Sequence, residues 1–308
     1  MSKNQINPFK KRKSIKPVLE GYLLIMPWLV GFLIFHAGPI IISFVLAFTN
    51  YDIITTPKFI GLENFKFLLR DQDFRVSLNR TLYYVVGNVS LSIVCSLAIA
   101  LLLNRKILGI RWFRTMYYIP SVTSGVAIAI IWSWVFHPTY GIVNYLLQKI
   151  GISGPGWLGD PNWAMPAVII VSVWSSIGRQ MILFLAALQG VPTTLYDAAK
   201  IDGAAGWNLF RHITFPMISP TVFFSIVVGI IGAFQGAFTQ VYIMSGISGG
   251  PLRSTYVYML YLYNVAFRYF NMGYAATLAL VLLFIVVILT ALQFKLSSWV
   301  YYEGGIRR

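Results

Sequence analysis

Charge is scarce in this sequence. Only 11% of its 308 residues are Asp, Glu, Lys or Arg, against about a quarter in an ordinary soluble domain. With 57% hydrophobic residues and a mean hydropathy of +0.71, the chain reads as an integral membrane protein. Cysteine is nearly absent. Cys95 is the single one and lies in an apolar run, which excludes a disulfide framework and a thiolate metal site. The three histidines, His36, His137 and His212, are scattered. There is no HExxH, and no nucleophile stands beside a base, so an intramembrane enzyme lacks its constellation. No GxxxxGK(S/T) phosphate loop occurs, so the chain is not expected to hydrolyse ATP. Carboxylates are the rarest charge. All nine (Glu20, Asp52, Glu63, Asp71, Asp73, Asp160, Asp197, Asp202 and Glu303) fall outside the long apolar runs. Ion-coupled carriers commonly keep a carboxylate at membrane depth. Its absence disfavours that class, although backbone carbonyls can also bind sodium.

What is present is a series of uncharged runs. Residues 21–51 form the first, too long for the apolar core of a signal peptide. Pro27 and Pro39 should kink it or mark its ends. Further runs cover 81–103, 115–136, 164–189, 222–244 and 273–294. Each is long enough to cross a bilayer core of about 30 Å. The expected fold is an all-α integral membrane protein with six transmembrane helices. Residues around Phe59–Phe65 read as a short amphipathic helix on the outer surface, and 245–272 as a Tyr-rich outer segment.

The net charge of +15 does not point to nucleic acid, because the basic residues sit beside the spans. Lys10, Lys11, Arg12, Lys13 and Lys16 precede the first span, Arg105, Lys106, Arg111 and Arg114 crowd one short loop, and Arg307 and Arg308 end the chain. With both termini inside, 15 of the 24 Lys and Arg fall on inner segments and 8 on outer loops, as the positive-inside rule requires. The expected organisation is a basic cytoplasmic tail at 1–20, a first span and outer loop at 21–75, a core of five spans at 76–297 with a cytoplasmic loop at 190–220, and a cytoplasmic tail at 298–308.

Several spans carry polar stripes at helical spacing. Asn88, Ser92 and Ser96 form one; Ser172, Ser175 and Arg179 another; Gln235, Thr239 and Tyr242 a third. Spacings of three and four place each set on one helix face. Hydrogen bonding between helices explains such stripes, and so does a water-filled path that binds a polyol. Arg179 is the single charged side chain well inside a span, roughly 15 Å from its inner end at 1.5 Å per residue. It can line a polar cavity, hydrogen-bond a substrate hydroxyl, answer an anionic substrate, or bond the carbonyls of a neighbouring helix. Trp174, Phe234 and Phe238 lie deep, where an aromatic face either packs the core or stacks on a sugar ring. Gly232 and Gly236 form a GxxxG that would let the fifth span approach another helix.

The longest polar interruption of the second half runs from 191 to 220. Thr194 and Asp197 suggest a capping box opening a short helix, Gly203 a stop, and Pro216 the end of a second short helix. Asp197-Ala198-Ala199, then Asp202-Gly203-Ala204, then Ile213 and Phe215-Pro216 resemble the EAA loop of ABC-importer permeases. Asp197 stands where that family usually has Glu, and Phe215 where it usually has Leu. Leu101–Arg105, Phe113-Arg114, Tyr118-Ile119-Pro120, Trp132, Pro138-x-x-Gly141-x-x-Asn144, Gly249-Gly250-Pro251, Tyr263, Ala266-Phe267 and Gly273-Tyr274-Ala275 are similar to segments of maltose-type, binding-protein-dependent sugar permeases. The similarity covers roughly residues 17–297.

The resemblance implies a type I ABC importer permease fold in a bacterial-type cell membrane. It implies a second permease subunit, usually in a heterodimer, two ATPase subunits that bind ATP and Mg, an extracellular solute-binding protein, and a sugar substrate. Coupling to the ATPase would fall to Asp197, Ala198, Ala199, Asp202, Gly203 and Pro216. Candidates for the substrate path are Asn88, Trp174, Ser175, Arg179, Phe234, Gln235, Thr239 and Tyr242. No cofactor or metal is expected on this chain. The competing class is a self-sufficient secondary carrier or channel for a small polar solute; a purely structural membrane anchor is a third, against which the polar stripes argue.

Overall fold

The computed structural model describes the backbone of residues 15–105 and 108–301, and side chains in that range from Glu20 onward. The basic run at 10–13, Lys106, Glu303, Arg307 and Arg308 lie outside the described residues. Apart from one bridge between Thr49 and Phe59, the described residues contain no β structure.

The first span joins α1 (Ile15–Phe32), a π-helical turn at Leu33–Ala37, and α2 (Gly38–Leu46). The turn sits just before Pro39: the Gly38 N–H reaches back to Leu33 O, one residue further than in an α-helix. A wider turn makes room for the proline ring and absorbs its missing donor. The apolar run therefore continues as one candidate span from Glu20 to Leu46. None of its most apolar window is buried, whereas half of that in α8 is, so the first span is peripheral and α8 central.

Beyond α2 comes α3 (Glu63–Arg70), tied back when Asn64 Nδ2 donates to Ala47 O and Thr49 O, both at 2.9 Å. Next is α4 (Gln72–Leu103), which starts earlier than the apolar run because Asp71 caps it, accepting from the Asp73 N–H at 2.9 Å. The other Asp71 oxygen accepts the hydroxyls of Tyr261 and Tyr274. Burial, reinforced by Asp71, holds the Tyr261 hydroxyl protonated far above its ordinary range. Asp73 pairs with Arg253 close by. Replacing Asp71 with Ala would remove the cap and strand two half-buried hydroxyls, an expected loss of about 3–5 kcal/mol. Asp71→Asn keeps an acceptor and should lose less than half as much. Thermal unfolding of the two variants in detergent checks this; an Asp71→Ala loss no larger than the about 1 kcal/mol of a cap alone would mean the tyrosine bonds contribute nothing.

The expected third span is not one straight helix. It divides into α5 (Ile110–Val122) and α6 (Gly125–Val135), bent by 100°. Pro120 lies in the last turn of α5, and Thr123 and Ser124 are extended, so the hydrogen-bond ladder stops there. The described residues thus hold five straight candidate spans, and a sixth if the bent pair crosses as one. The loop that follows carries α7 (Ile142–Lys149). Asn144 is its node: Nδ2 donates to Pro138 O and Pro155 O, and Oδ1 accepts from Trp157 Nε1.

The fourth span, α8 (Ala164–Gln189), occupies the limits expected from the sequence. It packs on α4, α5 and α11, burying Ala167, Val168, Val171, Met181 and Phe184. Short α9 (Thr193–Ile201) and α10 (Gly206–Leu209) follow. A π turn at Phe210–Thr214 then leads into α11 (Phe215–Ser245). The Tyr-rich segment 245–272, expected on the outer side, is exposed at 252–253 and 267–270 and buried at most positions between. Its α12 (Tyr258–Tyr263) and the π turn after it bury Tyr256, Tyr258, Leu260, Val265 and Asn264 in the main core. The tyrosines' hydroxyls permit this, since Tyr258 O–H donates to Leu278 O at 2.8 Å. The chain closes with α13 (Met272–Lys295), and Trp299 then stacks on Phe215.

Candidate functional site

Two features stand apart from the packed core, and α8 and α11 connect them. The first is the hairpin between these helices. α9 has no buried residue. Its first turn lacks the expected capping box: Pro192 occupies the cap and no side chain satisfies the free N–H groups. Its end is as expected, and more complete. Gly203 has φ +80°, its N–H bonds Lys200 O at 3.0 Å, and the Ala204 N–H bonds Ala199 O at 2.8 Å. That pair of bonds is a Schellman stop, which requires a left-handed residue and so favours glycine. Asp197 and Lys200 lie 3.6 Å apart, both exposed, a pairing worth little in stability.

Pro216 does not end a helix. It lies in the first turn of α11, and the Phe215 N–H reaches Phe210 O across the π turn. The helical path is therefore unbroken from Gly206 to Ser245, by the device used at Pro39. Tyr196 O–H lies 3.2 Å from Thr214 Oγ1 and pins α9 to the π turn. Leu195, Ile201 and Trp207 are exposed, Ile201 at 87%, amid the polar residues of the hairpin. Asp197, Ala198, Asp202 and Gly203 are exposed as well, with Ala199 half-buried.

The second feature is a cleft of about 750 Å³ walled by α4, α8 and α11. Asn88, Ser175 and Arg179 line it, with Tyr84, Ser92, Ser176, Gln180, Ser225 and Gln240. Ser92 Oγ and Ser176 Oγ are 3.1 Å apart across α4 and α8. Ser225 Oγ and Gln240 Oε1 are buried without a hydrogen-bond partner, polar capacity this chain leaves unused. The lining is neutral except for Arg179.

Trp174, Phe234, Gln235, Thr239 and Tyr242 do not line the cleft. Trp174 packs edge-on against Trp132 at 5.4 Å. Phe234 is 1% exposed, in the main core. Tyr242 joins Phe238 and Tyr263 in an aromatic cluster. The reason is the rotational phase of α11. Its cleft face is Ser225, Gly229, Gly232, Gly236 and Gln240, and the stripe of Gln235, Thr239 and Tyr242 lies one step round the helix. Within this chain Gly232 and Gly236 meet no helix at all: nothing lies within 4 Å of a Cβ placed on either. They hollow the cleft instead. The sequence does carry a signal for this face, since Ser225, Gly229, Gly232, Gly236 and Gln240 recur at spacings of three and four.

A polar cleft within a bundle of candidate membrane spans, its walls joined by an exposed hairpin, suits the passage of a polar solute. Residues 90–300 match the family described as binding-protein-dependent transport system inner membrane component. The chain is 42% identical over 309 residues to the probable ABC transporter permease protein YesP of Bacillus subtilis, covering 99% of each. It is 37% identical over 290 residues to the lactose transport system permease protein LacF of Rhizobium radiobacter, covering 92% of this chain and 96% of that one. A crystal structure of a bacterial ABC transporter involved in the import of the acidic polysaccharide alginate contains a chain of the same fold. Its TM-score is 0.79 at 23% identity, over 92% of this chain and 96% of that one. The chain belongs to the family of binding-protein-dependent transport system inner membrane components, as a permease subunit of an ABC importer.

Proposed function

We propose that this chain forms half of the path by which an ATP-driven importer of a bacterial cell membrane takes up a sugar, with both termini in the cytoplasm. A second permease subunit supplies the other half. An extracellular binding protein delivers the sugar, and two separate ATPase subunits hold ATP and Mg and dock on the hairpin at 193–214. The observation that carries this reading is connectivity: the exposed hairpin joins the end of α8 to the start of α11, and both helices wall the cleft. A displacement of α9 therefore pulls on two walls at once. The unmatched apolar side chains of Leu195, Ile201 and Trp207 suit a partner groove better than water. The substrate class rests on relatives named for lactose transport and on a hydroxyl- and amide-lined cleft that suits a polyol.

Because Cys95 is the single native cysteine, cross-linking tests the docking directly. In a Cys95→Ser background, Ala198→Cys should cross-link to the co-expressed ATPase, with a yield that changes when ATP is added. Absence of cross-links from positions 198, 201 and 207 alike would overturn the docking assignment. Sugar uptake by the purified chain alone, driven by an ion gradient, would favour the self-sufficient carrier instead.

A further inference from the structure

We propose that the solute this cleft accepts carries an anionic group, a carboxylate or phosphate on a hydroxylated framework, and that Arg179 recognises it. The inference rests on the permease reading above and names the substrate class of that site. Arg179 is exposed on the cleft side of α8. Among the described residues, no carboxylate comes within ion-pair distance of it, and no backbone carbonyl accepts from it, unlike Arg114, which donates to Leu103 O at 2.9 Å. Three of the carboxylates are engaged elsewhere: Asp71 with two tyrosines, Asp73 with Arg253, and Asp197 with Lys200.

A guanidinium placed inside a span is costly unless something answers its charge. Structural arginines meet that cost with carbonyls or carboxylates; this one has neither within the described chain. The rest of the lining includes neutral donors and acceptors suited to hydroxyls: Asn88, Ser175, Ser176 and Gln180. Ser225 Oγ and Gln240 Oε1 are buried without a partner, so they add polarity behind the lining rather than contacts on its surface. A neutral sugar would use the neutral lining and offer Arg179 a hydroxyl acceptor but no opposing charge. A uronate or phosphate would use that lining and also pair with the guanidinium in the planar fork geometry that Arg provides and Lys does not.

The test uses the complete importer in proteoliposomes, with its binding protein and ATPase. Uptake of digalacturonate, sn-glycerol 3-phosphate and lactose is compared for the wild type, Arg179→Gln and Arg179→Lys, with assembly followed by size-exclusion chromatography. The expected result is uptake of one anionic solute by the wild type. Its kcat/KM should fall roughly 10–100-fold in Arg179→Gln, the scale of one charge-assisted pair, with partial recovery in Arg179→Lys and unchanged assembly. Which anionic solute is taken distinguishes carboxylate from phosphate. Wild-type uptake of lactose alone, unaffected by Arg179→Gln, would overturn the anion assignment and leave the importer reading intact. Loss of assembly in Arg179→Gln, or equal loss of all uptake in both variants, would make Arg179 a contact to the second permease and also overturn it. Uptake of neither anionic solute by the wild type would overturn the anion assignment, and uptake that does not require ATP would instead count against the importer reading.

Discussion

Replacing Gly203 with glutamate should abolish transport while the protein still inserts and assembles in the membrane. Two effects can be separated at this position. The first is conformational: φ +80° is left-handed, and an L side chain there costs about 1–2 kcal/mol. That cost falls on the Schellman stop of an exposed helix, so it loosens α9 without touching the core. The second is steric and electrostatic. Nothing within 4 Å would meet a Cβ at Gly203, so the chain itself has room for a side chain. A docked ATPase does not, if this face lies in its groove. Gly203→Ala isolates the first effect and should keep at least about a thirtieth of wild-type uptake, since 1.4 kcal/mol is tenfold and about 2 kcal/mol roughly thirtyfold. Gly203→Glu adds bulk and charge and should fall to background. ATP-dependent uptake, measured beside membrane content of the subunit, checks both. Wild-type uptake by Gly203→Glu would end the coupling role for this turn.

Gly178→Val should prevent the bundle from folding. A Cβ at Gly178 would lie 2.1 Å from Tyr117 O and 2.6 Å from Tyr118 Cα, both backbone atoms of α5. Backbone cannot step aside as the end of a flexible side chain can, so α5 and α8 must separate. Forced overpacking in a tight interior usually costs about 1–3 kcal/mol. Here the displaced partner is a helix that includes Pro120 and leads into the 100° bend, so the upper end applies to Gly178→Ala and more to Gly178→Val. The expected readouts are a lowered unfolding temperature in detergent for the alanine variant and little recoverable folded protein for the valine variant. A valine variant as stable as the wild type would show that α5 does not press against α8 here. Gly232→Ala is the contrast: no atom lies near its Cβ, so stability should be unchanged.

The two π turns that precede prolines mark a boundary between local and tertiary information. Pro39 reads locally as a kink or a helix end, and Pro216 as a helix end. Each instead lies just past a turn whose hydrogen bond reaches one residue further back, and the helices run on. Proline reports a missing donor and a bulky ring, but not whether the turn before it widens to accommodate them. That depends on what the continuing helix gains by packing, as α11 gains against α4, α6 and α8.

Hydropathy along the chain was enough to establish a helical membrane protein, the limits of α8 and the first span, and Gly203 was enough to mark the end of α9. The motif around Asp197–Gly203 was enough to indicate the family. Those properties depend on runs of neighbouring residues and on one left-handed glycine, and they survive without knowledge of any distant contact. The tertiary structure alone decided which face of α11 meets the cleft, that Gly232 and Gly236 open space rather than close it, that Phe234 is core, and that residues 256–266 turn inward. It also decided that Arg179 meets no charge among the described residues of its own chain. A helix carries several plausible stripes at once, and only the helices packed around it determine which one is left facing the cavity.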